Sequence, residues 1–63
     1  MKYRIMNHEE NGEHVEIGHL ESAKNRHTLT MHGDSLPKTY GSLADAMTQA
    51  RKSWPHAYIE KME

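Results

Sequence analysis

Cysteine and phenylalanine are both absent from this 63-residue chain, and tryptophan occurs once. Without cysteine there are none of the disulfides that staple small secreted folds, which points to a reducing, cytoplasmic setting. Without Phe and with a single Trp there is no large aromatic centre, and so short a chain buries only about 60% of the surface its unfolded form exposes. The core is therefore expected to be thin. Charge of one sign is missing too: eight Lys and Arg stand against nine Asp and Glu, a net charge of −1. That balance supplies no global field to draw in nucleic acid or an anionic membrane, so any such binding needs a local basic patch. It also separates the chain from disordered sequences, which combine high net charge with few apolar residues, whereas 35% of this chain is hydrophobic and patterned. No run approaches the roughly 18 apolar residues of a membrane span. Lys2 and Arg4 are followed by Glu9, Glu10 and Gly12 before any apolar stretch of signal-peptide length. The sequence opens on Met1 and enters a strand pattern at once, so it reads as a complete small protein forming one domain over 1–63.

What is present is periodicity. Residues 2–7 alternate, with Tyr3 and Ile5 on one side and Lys2, Arg4 and Met6 on the other, the mark of a half-buried strand. Asn11-Gly12 predicts a type I′ hairpin into a second, antiparallel strand over 14–22. Its apolar residues, Val15, Ile17 and Leu20, slip by one near Gly18, where a bulge would re-aim the strand. After the turn-prone Ser22-Ala23-Lys24-Asn25, residues 26–32 alternate again, His27, Leu29 and Met31 against Arg26, Thr28, Thr30 and His32. Gly33-Asp34-Ser35 ends this third strand, and Leu36-Pro37 predicts a connecting loop. Ser42 is a suitable N-cap with Asp45 in the first turn, and Leu43, Ala46, Met47, Ala50 and Trp54 make one apolar stripe, predicting a helix over 43–53. Pro55 stops it, and 56–61 alternates as a last strand, Ala57 and Ile59 opposite Tyr58 and Glu60.

The expected fold is α+β, a βββαβ domain: a three-stranded antiparallel meander, a C-terminal strand at the edge beside the first, and one helix on one sheet face. The helix reverses the chain, which predicts that the last strand runs parallel to the first and third through a right-handed crossover. The helix stripe, Trp54 included, joins Tyr3, Ile5, Val15, Ile17, Leu29, Met31 and Ile59 in the core. The third strand becomes the far edge, with Thr28-Leu29-Thr30-Met31 open to pair with a partner strand or a second copy.

One sheet face is left uncovered, and the candidate binding residues lie there: Arg4, Met6, His14, Arg26, Thr28, Thr30 and His32, with Glu16 among them. Arg and Thr on a three-stranded sheet suit a DNA major groove, with Arg4, Arg26 and Thr28 as readers. Glu9, Glu10, Glu13, Glu16 and Glu21 in the same half of the chain oppose it by repelling phosphate. Six His invite a metal reading, with His8, His14 and His32 converging. The spacing holds no His-x-His, no helical His-x-x-x-His and no Cys/His pair, so no metal site is assigned. His27 is expected half-buried beside Leu29. No Gly-rich phosphate loop and no nucleophile-base arrangement is visible, so no catalytic residue and no cofactor is assigned.

The stretch Tyr40-Gly41-Ser42-Leu43-Ala44-Asp45-Ala46, with Trp54-Pro55-His56-Ala57-Tyr58-Ile59, resembles small phage-encoded proteins that modulate host machinery, of the kind that inhibits host RNA polymerase. The shared feature is a capped, Ala-rich helix before a final strand, about a third of the chain, and no functional residue transfers on it. Those inhibitors are more acidic, and no comparable acidic run occurs here. The resemblance implies a phage or mobile-element protein that acts by binding. The sequence thus points to a non-enzymatic module for a protein partner, with DNA binding through the open face and a structural homodimer as alternatives.

Overall fold

The computed structural model describes residues 1–62. Five strands and one helix follow in the order β1 (Lys2–His8), β2 (His14–Ala23), β3 (Arg26–Met31), β4 (Lys38–Tyr40), α1 (Leu43–Ser53) and β5 (Ala57–Lys61). They form one antiparallel sheet in the order β4-β3-β2-β1-β5 with the helix packed on one side. No described helix is long and apolar enough to cross a membrane.

The meander follows the alternation. Tyr3 faces Leu20, Ile5 faces Gly18 and Asn7 faces Val15, and directly opposed residues share a sheet face. The slip near Gly18 is real: Ile5 pairs with Gly18 but Met6 with Glu16, so Ile17 is an extra residue in β2. The bulge lets Val15, Ile17 and Leu20 all reach the helix side. The β1–β2 connection is longer than the expected type I′ turn. His8 and His14 close the ladder, Gly12 N–H donates to Glu9 O at 3.0 Å, and Glu9 N–H donates to Glu13 O at 2.7 Å. Within this loop only Gly12 has positive φ (90°), while Asn11 accepts from Glu13 N–H at 3.0 Å. This is a three-residue loop with a glycine bulge, because the Glu9–Glu13 bond leaves residues 10–12 to span where a type I′ turn leaves two. The β2–β3 turn is the tight one: Ala23 pairs with Arg26, and Asn25 takes φ of 60°.

Three expectations fail together at β4. Residues 38–40 were expected as loop but pair with β3, Tyr40 opposite His27 and Lys38 opposite Leu29. This added strand reverses the chain once more before the helix, so β5 runs antiparallel to β1, not parallel, and no right-handed crossover is needed. It also moves the sheet edge outward. The first half of the expected free edge, Thr28 and Leu29, is covered by the three-residue β4, Thr30 and Met31 extend beyond it, and β5 forms the other edge.

α1 matches its expected span, with Ser42 Oγ accepting from Asp45 N–H at 3.0 Å. Ala46, Met47 and Ala50 are buried against Ile5, Ile17, Leu20, Leu29 and Ala57, and Leu43, Tyr3, Val15, Met31, Tyr40 and Ile59 pack around them. Ile5 and Leu20 are the largest fully buried side chains, so the core centres on β1 and β2. Trp54 does not join it. At the C-cap, its φ of −131° takes it off the helical path, and it is 39% exposed. Arg51 closes that end by donating from Nε to Ala57 O at 2.9 Å.

Candidate functional site

The sheet face away from α1 is bare. Because the strands alternate, register alone decides its composition. Lys2, Glu21, Thr28 and Thr39 form one row across the strands, and Glu60, Arg4, His19 and Thr30 form the next. Tyr58, Met6 and Glu16 follow, then the pair His8 and His14. All seven candidate residues, Arg4, Met6, His14, Arg26, Thr28, Thr30 and His32, are placed on this side by the register or by contact with it. Their neighbourhoods differ.

Arg4 is held between two carboxylates, its Nε 3.6 Å from Glu16 Oε1 and its Nη1 3.4 Å from Glu60 Oε1. His32 is drawn to the same Glu16, Nε2 to Oε2 at 3.3 Å. These contacts are half-exposed, so each contributes at most about 1 kcal/mol, but together they set where charge is free. His8 and His14 stack with ring centroids 4.4 Å apart and planes 7° from parallel. Tyr58 meets His14 edge-on, its hydroxyl 2.6 Å from Nδ1. The expected convergence of three imidazoles is thus a pair, with His32 taken by Glu16. Among the described residues no group of three or more His, Cys, Asp or Glu is arranged to hold a metal ion.

At the other end, Arg26, Thr28 and Thr30 line a shallow depression with His19 and Glu21. Arg26 makes no ion pair among the described residues. Across the face the cations Lys2, Arg4 and Arg26 stand against the carboxylates Glu16, Glu21 and Glu60, so the expected basic surface is balanced.

Sequence reasoning left four contributors out, Tyr58, Glu60, His19 and, on the unexpected β4, Thr39. Tyr58 and Glu60 were legible as the outward side of the last strand, but their place beside Met6 and Arg4 depends on β5 docking against β1. His19 is hidden by the bulge, which reverses which parity of β2 faces out.

On the helix side, Ser22 Oγ lies 2.7 Å from Nδ1 of the half-buried His27, on the neighbouring strand. A hydroxyl beside an imidazole is the start of a nucleophile site, which also needs a group orienting the ring. Among the described residues the far nitrogen of His27 has no hydrogen-bond partner, so the pair serves to pin the β2–β3 hairpin. Asn7 is the buried polar residue of the core, and its Nδ2 donates to the Glu9 carboxylate, tying β1 to the acidic loop.

Compared with known protein families, curated proteins and solved structures, the chain matches none.

Proposed function

We propose that this protein is a non-enzymatic binding module that occupies the surface of a protein partner through its bare sheet face, in the manner of phage or mobile-element inhibitors and accessory factors. The observation that carries the reading is the one-sided packing. A single helix covers one side of a five-stranded sheet, and the other presents half-buried Met6 and Tyr58 on β1 and β5 and half-buried Thr28 and Thr30 on β3, with the charged Lys2, Arg4, Glu16 and Glu21 on the strands between them. Tyr58, Met6, Arg4 and Arg26 on this face are of the residue types enriched at protein–protein interfaces. Balanced charge on the face suits a protein partner better than a polyanion.

The test is capture of a partner from cell lysate by the wild-type chain and by Arg26→Glu and Thr30→Arg, with circular dichroism to verify folding. A discrete protein retained by the wild type and lost by both variants supports the reading. Retention no greater than a bare-matrix control, or equal retention by all three, refutes it.

The DNA reading keeps one favourable observation, the unpaired Arg26 beside Thr28 and Thr30. It loses Arg4, which would have to leave both carboxylates to reach a base edge. Binding to duplex DNA at low salt that falls steeply as salt rises is its signature.

A further inference from the structure

Beside the last turn of α1, on the side of the sheet opposite the bare face, a groove runs between the helix and the β3–β4 pair. Its lining includes the apolar Leu29, Met31, Tyr40, Ala50 and Trp54 beside the polar His32, Gln49 and Ser53. Leu29 and Ala50 are buried in the core, Met31 and Tyr40 are half-buried, and the indole of Trp54 stays partly open to solvent. Two cations stand on opposite walls, Lys38 on β4 and Lys52 in the last helical turn, and Asp34 is the one carboxylate lining the groove. Neither lysine makes an ion pair among the described residues. Arg51, next to Lys52, is already committed to Ala57 O. On the bare face, by contrast, Arg4 is neutralised from within the chain. An accessible Trp set in a concavity is the side-chain type that carries most interface energy, and unpaired charge at a rim selects the sign of the partner.

We infer that this groove receives a segment of a partner protein in which a large apolar side chain is flanked by carboxylates. The apolar group lies on Trp54 and the acids meet Lys38 and Lys52. The inference does not rest on the bare-face reading, since it uses the other side of the sheet and different residues.

Trp54 is the chain's single tryptophan and lines this groove, so its emission follows binding there with no other indole signal. A displayed library of short random peptides is selected on the folded chain, and synthetic copies of the enriched peptides are titrated while that emission is followed. The expected result is enrichment of Asp and Glu around a large apolar residue, with a saturable change in Trp54 emission. Lys38→Glu with Lys52→Glu should weaken binding by about tenfold or more, as two exposed attractions become repulsions. Lys38→Gln with Lys52→Gln should weaken it less in the same direction, which keeps the test valid if charge reversal disturbs folding. Arg26→Glu should leave the titration unchanged, so this inference and the bare-face reading fail separately. No enrichment, enriched peptides lacking acids, or equal affinity in both lysine variants overturns the inference. So does an emission change that follows protein concentration alone, which marks a second copy as the occupant, or one saturated by duplex DNA in place of the peptides.

Discussion

Replacing Gly18 with alanine tests the register of the whole sheet. Gly18 lies opposite Ile5 on one side and Met31 on the other, directly after the bulged Ile17. A Cβ there would sit 2.6 Å from Thr30 O and 3.0 Å from Met31 Cα, both backbone atoms, and 3.0 Å from Met31 Sδ. The sulfur can swing away, but the backbone of a central strand cannot. Ordinary contact begins near 3.4 Å, so β2 and β3 must part by about 0.8 Å, which carries a hydrogen bond of about 2.9 Å beyond useful range. Overpacking of this kind costs about 1–3 kcal/mol, and a lost ladder bond about 0.5–1.5 kcal/mol. Alanine's smaller loss of backbone freedom offsets roughly 0.5–1 kcal/mol of that. A net loss of about 2 kcal/mol is expected, which for a domain of this size lowers Tm by about 8–16 °C. Thermal unfolding followed by circular dichroism and Trp54 emission measures it. Gly41→Ala is the control, since a Cβ there meets nothing within 4 Å and φ is not positive. A Tm for Gly18→Ala equal to or above wild type would show that the strands do not approach as argued.

Other perturbations separate the remaining elements. Ser42→Ala removes the acceptor for Asp45 N–H and should lower stability by about 1 kcal/mol, read as a shift in the urea midpoint with unchanged slope. Leu20→Ala empties the centre of a thin core at a cost of about 2–5 kcal/mol. Against a total stability of about 3–9 kcal/mol for a chain this short, that loss should lower Tm by at least about 8 °C, and a cooperative transition near the wild-type Tm would contradict the assigned core. Arg51→Met keeps the aliphatic stem but loses the bond to Ala57 O, and amide hydrogen exchange should quicken in β5 while that of β2 stays slow. Uniform change across both strands would argue against a local role.

Elements with a period of their own were legible. Alternation in 2–7, 26–32 and 56–61, and the Leu43-Ala46-Met47-Ala50 stripe behind the Ser42 cap, are local patterns that hold whatever the chain packs against. They place Arg4, Met6, Arg26, Thr28, Thr30 and His32 on one face, since parity within a strand fixes the side once one core residue is known, and His14 joins them from the part of β2 before its bulge. β4 escaped because three residues after a proline carry no period, and they are a strand only because β3 offers its edge. From that one omission followed the wrong direction for the last strand and the wrong free edge, as each added strand flips the sense of those after it. Trp54 fell on the stripe by spacing, yet the helix ends beneath it, and a residue with non-helical φ leaves the face its spacing assigns. The ion pairs of Arg4, the His8–His14 stack and the groove between Lys38 and Lys52 each join residues from separate elements. No such contact exists until the strands are docked in order, because local propensity carries no information about which edges meet.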